Sequence, residues 1–306
     1  MEDARTSGPT VVLVIGMAGA GKTSLMGQID EALKRRQTGL TAPSDAGYLI
    51  NLDPAVLNLS YEPNVDIRDT VNYKNVMKQY NLGPNGGILT SLNLFATRFD
   101  QVIALCEKDR EVPLEYIVAD TPGQIEIFTW SASGAIISEA FASQFPTVIA
   151  YVVDTPRCSS PQTFIANMLQ ACSIIYKTRL PLVLVFNKVD VCPHTFATEW
   201  MQDFDSFAKA LDADPSFSAS FSRSLSLVLE EFYENIPSVG VSAATGEGMD
   251  ELFEKIDACR EEYEQEYKPI LEERKAQRKQ MELAAEEARK AQDVEKLGND
   301  LKKTEI

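Results

Sequence analysis

Gly16-Met17-Ala18-Gly19-Ala20-Gly21-Lys22-Thr23 has the residue types and spacing to hold a polyphosphate. The glycines let the backbone approach an anion, and consecutive N–H groups converge on it where a helix begins. Lys22 carries positive charge toward the outer phosphates, and the hydroxyl of Thr23, followed by Ser24, is placed to ligate Mg2+. The run Asp-Thr-Pro-Gly-Gln-Ile-Glu supplies the complement: Asp120 as the second metal-side group, and Gly123 with an N–H able to face a terminal phosphate. Gln124 and Glu126 are candidates for orienting an attacking water, with anchoring of the segment as the alternative for each. Asp53, leaving an apolar run toward the same place, is a third catalytic candidate. Helix capping and surface ion pairing explain Asp66, Arg68 and Asp69 equally well.

Asn187-Lys188-Val189-Asp190 adds base choice. The Asp190 carboxylate can accept from guanine N1–H and from its exocyclic amine, two donors that adenine does not present. Asn187 is expected to bond the base and shape the loop, with the Lys188 stem over the ring. The run Ser-Ala-Ala-Thr-Gly-Glu-Gly from Ser242 is expected to bring the Ala243 N–H near guanine O6. Together these residues point to GTP and away from an ATP-using metabolic kinase, for which nothing in the sequence supplies an acceptor site.

Groups so far apart in the chain need a scaffold. Short apolar runs at Val11 to Ile15, Tyr48 to Asn51, Tyr116 to Ala119, Val148 to Val153 and Leu182 to Phe186 read as strands, with a weaker sixth at Pro237 to Val241. Helical stretches between them imply a doubly wound α/β sheet. The second and third runs are separated by residues that look helical over Asn72 to Tyr80 and Thr90 to Cys106, which excludes a hairpin and predicts a mostly all-parallel sheet. That arrangement resembles the signal-recognition-particle class of P-loop NTPases.

From Val191 to Ser238 the sequence carries Phe196, Trp200, Phe204, Phe207, Leu211, Leu225, Val228 and Phe232 at helical spacing, predicting a helical insertion over 191–237. These residues either pack on the sheet or form a partner-binding groove. Domain boundaries follow: a disordered N-terminus over 1–10, a nucleotide domain over 11–259, and a charged helical or disordered extension over 260–306.

Composition narrows the class. The chain has 306 residues and a net charge of −16, and the stretch after Cys259 carries 11 basic and 13 acidic residues of the chain's 29 and 45. The acidity therefore sits in the body, which argues against direct binding of nucleic acid or anionic membranes. Nothing approaches the ~20 apolar residues of a membrane span. Five cysteines without metal-ligand spacing fit a reducing compartment, and the single histidine, His194, reads as a loop residue.

One more motif, Gly83-Pro84-Asn85, lies between the two phosphate-facing segments. Pro84 fixes its own φ, and Gly83 and Gly86 permit tight turns, so the tripeptide suits a rigid loop that exposes an amide. With Asn-Leu-Asp-Pro-Ala, Asp-Ile-Arg-Asp and the motifs above in the same order, the chain from Val11 to about Tyr267 resembles the GPN-loop GTPases. That resemblance implies hydrolysis of GTP to GDP with Mg2+. It also implies a homodimer, or a heterodimer with a related GPN-loop GTPase, in which Asn85 acts in trans at the partner's site. The insertion and charged extension resemble the eukaryotic branch implicated in assembly and nuclear import of RNA polymerase II. Its subunits are then the expected clients, and the expected location is the cytoplasm with shuttling to the nucleus. The alternative is a chaperone-like scaffold in which bound nucleotide is structural and hydrolysis secondary.

Overall fold

The computed structural model describes residues 8–37, 47–110, 112–212 and 236–273, with 276–277 and 280–281 beyond them. Seven strands form one parallel sheet in the order β3-β2-β4-β1-β5-β6-β7. They are β1 (Thr10–Gly16), β2 (Gly47–Asn51), β3 (Val65–Asp66), β4 (Tyr116–Asp120), β5 (Thr147–Asp154), β6 (Leu182–Asn187) and β7 (Ser238–Val241). Every residue of β1 is buried, as expected of a central parallel strand covered on both faces. Alternation still sorts its side chains. Val12 and Val14 join Leu25, Met26, Val118, Val148, Val183 and Phe253 in one core cluster.

Helices α1 (Lys22–Gln37), α2 (Ile67–Thr70), α3 (Tyr73–Tyr80), α4 (Pro84–Ala96) and α5 (Phe99–Glu107) precede β4. Then come α6 (Ile125–Thr129), α7 (Ala132–Gln144), α8 (Thr155–Cys158), α9 (Pro161–Thr178), α10 (Thr195–Gln202), α11 (Phe204–Asp212) and α12 (Met249–Glu262). Four of them, α2 to α5, carry the chain from β3 to β4, and this helical crossover is why the pairing is parallel. The two-residue β3 was not foreseen. It pairs with Ile50 and Asn51, too short to leave a periodic signal.

The crossover helices differ from expectation around the Gly-Pro-Asn motif. Gly83 is the N-cap of α4 with φ −74° and Pro84 occupies its first turn, so the tripeptide opens a helix instead of forming a free loop. Proline lacks an N–H that the first turn would leave unpaired, and its fixed φ suits a helix start. Neither Gly83 nor Gly86 has positive φ. The glycine that packing requires is Gly87, where a Cβ would sit 2.5 Å from Met77.

In the insertion, α10 and α11 lay Trp200 and Phe207 against Phe164 of α9, with ring centroids 5.3 and 5.6 Å from it. Phe207 and Leu211 are buried, so this part packs down on the body. Leu225, Val228 and Phe232 lie outside the described residues. His194 is half-buried, stacking on Phe186 and covering Gly240. The compact unit runs to Tyr263, whose hydroxyl donates to the Ala142 carbonyl. A second unit begins at Glu264, where the described residues are helical and include a Lys268–Glu264 ion pair.

Candidate active site

Strand β1 ends in the phosphate loop because each of its glycines meets a constraint that a Cβ would violate. A Cβ on Gly16 would clash with the Val152 carbonyl, and Gly19 and Gly21 have φ of +87° and +88°. Lys22 is buried and its Nζ donates to the Gly16 carbonyl at 2.8 Å, folding back over the loop. Burial draws the Lys22 ammonium below its usual range, opposed by the carboxylates of Asp120 and Asp53. Ala20 is buried, and Ser24 follows Thr23 in the first turn of α1.

Thr23 and Asp120 come together as the sequence implied. Thr23 Oγ1 donates to Asp120 Oδ2 at 3.1 Å. Asp120 is 1% exposed, and its other oxygen, Oδ1, is a buried acceptor without a partner among the described residues. Burial pushes the Asp120 carboxyl up to about 6, against the pull of Lys22 and of Thr23. A hydroxyl beside a carboxylate with a free lone pair fits Mg2+, a hard cation that takes few protein oxygens and keeps several waters. The described residues contain no cluster of three or more His, Cys, Asp or Glu side chains that would form an all-protein metal cage.

Asp53 lies between the two phosphate-facing segments. Its Oδ1 accepts the Ala55 N–H at 2.9 Å and its Oδ2 accepts the Gly123 N–H at 3.2 Å. The N–H expected to face a terminal phosphate is thus held by a carboxylate. Gln124, the N-cap of α6, donates its amide to Asn85 Oδ1 of the same chain at 2.8 Å, which joins the Gly-Pro-Asn motif to the candidate water-orienting residue in cis. Glu126 is exposed in the first turn of α6.

The guanine corner is built around Asn187, which is fully buried. Its Nδ2 donates to the Ala20 carbonyl at 2.8 Å and its Oδ1 accepts the Ala243 N–H at 3.0 Å, tying the phosphate loop to the loop after β7. A base oxygen at this corner would share an Ala243 N–H that already has a partner. A Cβ on Gly21 would fall 2.5 Å from Asn187 Nδ2, which links the glycine to the asparagine. Lys188, with φ +70°, donates Nζ to the Gly19 carbonyl and to Asp154 Oδ2, at 2.8 and 2.7 Å. Asp190 is exposed, and its Oδ1 accepts from Ser242 Oγ at 2.6 Å.

Sequence reading missed Asp154 and Ser242 as parts of this corner. Asp154 ends β5, beside the strand that carries Asn187, and that position at a strand's C-terminal end was the signal. Ser242 opens a run already singled out, but its role depends on a contact 52 residues away in sequence.

Residues 14–262 match a protein family described as "Conserved hypothetical ATP binding protein". The chain is 57% identical over 296 residues to "GPN-loop GTPase 1" of Dictyostelium discoideum, covering 97% of this chain and 72% of that protein. It is 62% identical over 263 residues to "GPN-loop GTPase QQT2" of Arabidopsis thaliana, covering 86% and 67%. A crystal structure of an apo GTPase from Pyrococcus abyssi shares the fold at 24% identity with a TM-score of 0.67, covering 81% of this chain and 96% of that one. The family description names ATP, whereas the Asn187 to Asp190 motif and the names of the relatives speak for guanine. With its phosphate loop, guanine corner and Gly-Pro-Asn helix start carried on one parallel sheet, the chain belongs to the GPN-loop GTPase family.

Proposed function

We propose that this protein binds GTP with Mg2+, hydrolyses it to GDP and phosphate, and works as a dimeric switch in the assembly and nuclear import of RNA polymerase II. The observation that carries the enzymatic part is the junction at Asn187, which joins the phosphate loop to the loop of Ser242 and Ala243, beside the exposed carboxylate of Asp190. The phosphate loop and the Asp190 acceptor are thereby tied into one framework. Lys22 and the loop N–H groups would bind phosphate oxygens, Thr23 and Asp120 would hold the cation, and Lys188, Asp190 and Ala243 would hold the base on the loops that Asn187 braces. Mg2+ held at Thr23 and Asp120 would supply positive charge to the phosphate oxygens. Asp53, Gln124 and Glu126 are the groups proposed to orient the attacking water, and release of the Gly123 N–H from Asp53 lets that N–H turn to the terminal phosphate.

Exposed apolar side chains support the dimer. Leu89 and Leu94 on α4, Trp130 between α6 and α7, and Ile136 on α7 are all exposed on the helices that follow Asn85 and Gln124. A neutral amide supplied in trans by Asn85 can orient water without adding charge, which would couple turnover to dimer geometry. The charged extension, the helical insertion and the eukaryotic relatives support the client assignment, with cytoplasmic residence and shuttling to the nucleus as its corollary.

Lys22→Ala tests the switch. Hydrolysis of GTP is expected to fall about 100-fold or more as phosphate stabilisation is lost, and cells relying on the variant are expected to retain RNA polymerase II subunits in the cytoplasm. A folded variant that cannot hydrolyse GTP yet restores nuclear polymerase would overturn the switch and leave the scaffold reading standing.

A further inference from the structure

Tyr61 reaches the metal-side pair from the segment between β2 and β3. Its hydroxyl donates to Asp120 Oδ2 at 3.3 Å, the same oxygen that accepts from Thr23, and the residue is 7% exposed. With both donors on Oδ2, the carboxylate is turned so that Oδ1 is the acceptor left without a partner.

The contact is held by its neighbours. Ser60 Oγ donates to the Thr23 carbonyl at 2.5 Å, beside the hydroxyl that faces Asp120. Glycine in a helix interior costs roughly 1 kcal/mol against alanine, yet α1 carries Gly27 where a Cβ would meet Ser60 Oγ at 2.8 Å and the Ser60 carbonyl at 3.0 Å. The glycine lets residues 60 and 61 lie against α1. Arg68 Nη1 donates to the Val56 carbonyl at 3.2 Å and fixes the start of the segment. Its outer side borders a hollow of ≈ 570 Å³ lined by Asp30, Leu57 and Arg68 among others.

We propose that Tyr61 is a positioning residue of the cation site: its hydroxyl fixes the rotation of the Asp120 carboxylate so that Oδ1 receives the hydration shell of Mg2+. The inference rests on the nucleotide reading given above. Groups that orient a metal's partners typically contribute about 10- to 100-fold to metal affinity. Binding of nucleotide without metal does not draw on the Asp120 rotation, so the two should separate.

The experiment loads the full chain with a fluorescent N-methylanthraniloyl GDP and follows its release across an EDTA-buffered Mg2+ series, for the wild type, Tyr61→Phe and Gly27→Ala. Tyr61→Phe keeps the buried ring and removes only the donor. It is expected to raise the Mg2+ midpoint by about 10-fold while affinity for the probe in excess EDTA stays within about twofold. Gly27→Ala, which displaces Ser60 with Tyr61 intact, is expected to shift the midpoint in the same direction. An unchanged midpoint in Tyr61→Phe overturns the inference, as does an equal loss of affinity with and without Mg2+. A wild type that fails to bind the probe, or binds it without response to Mg2+, overturns the nucleotide reading itself.

Discussion

At the guanine corner, Ser242 Oγ donates to one oxygen of Asp190 and leaves the other carboxylate edge open to solvent. If Asp190 reads the base as proposed, recognition depends on two acceptors meeting two donors, so exchanging an acceptor for an amide donor reverses the preferred pattern. Asp190→Asn is therefore expected to shift preference from GTP toward XTP, read by competition of the two nucleotides for a fluorescent GDP. Loss of a buried or oriented polar match of this kind discriminates by about 10⁴-fold or more in sites built for it. Unchanged preference for GTP would remove Asp190 from the base site. Asn187 differs in kind from Asp190. Its side-chain donor and acceptor are both used within the protein, which makes it a brace for two loops.

Among the elements, the start of the segment after β2 is fixed by a small polar network. Asp66 caps α2 by accepting the Arg68 N–H, receives the Arg68 guanidinium at 2.6 Å, and accepts from Asn51 Nδ2 at 2.9 Å. Sequence alone left these residues open between positive charge offered to the site by Arg68 and a structural role in capping and ion pairing, and the structure has Asp66 and Arg68 capping and pairing. Burial raises the Asp66 carboxyl, but the hydrogen bonds from Arg68 and Asn51 outweigh it and hold the group below its ordinary value. A carboxyl lowered in the folded protein contributes stability that is complete above its unfolded value of about 3.9 and disappears as pH falls through the lower folded value. Asp66→Asn is expected to cost about 2 kcal/mol at neutral pH. It should also flatten the loss of stability expected of the wild type below about pH 4. Urea denaturation at pH 7 and pH 3 measures both, and an equal deficit at the two values would show that the charge is not what matters. Helix α4 teaches a related lesson, since a proline read as a loop former stands at N1, where a helix accepts it best.

For the molecule as a whole, seven parallel strands bring residues from Gly16 to Ala243 to one edge of a sheet. If the exposed apolar side chains of α4 and α7 form the proposed dimer, Leu94→Glu should convert dimer to monomer in sedimentation velocity with GTP analogue bound, while GDP affinity stays within about twofold. A variant that remains dimeric would place the contact elsewhere. The sequence by itself determined six of the seven strands, their parallel pairing and the phosphate and guanine motifs, because each is a local pattern: a buried run, a long helical crossover, or residues fixed within one loop. It could not supply the pairs that form across the sheet. Ser242 with Asp190, Asp53 with the Gly123 N–H, Lys188 with Asp154 and Tyr61 with Asp120 join residues remote in the chain. Only tertiary structure decided those, because strand order and helix packing set which side chains approach within hydrogen-bond distance, and no local periodicity records that choice.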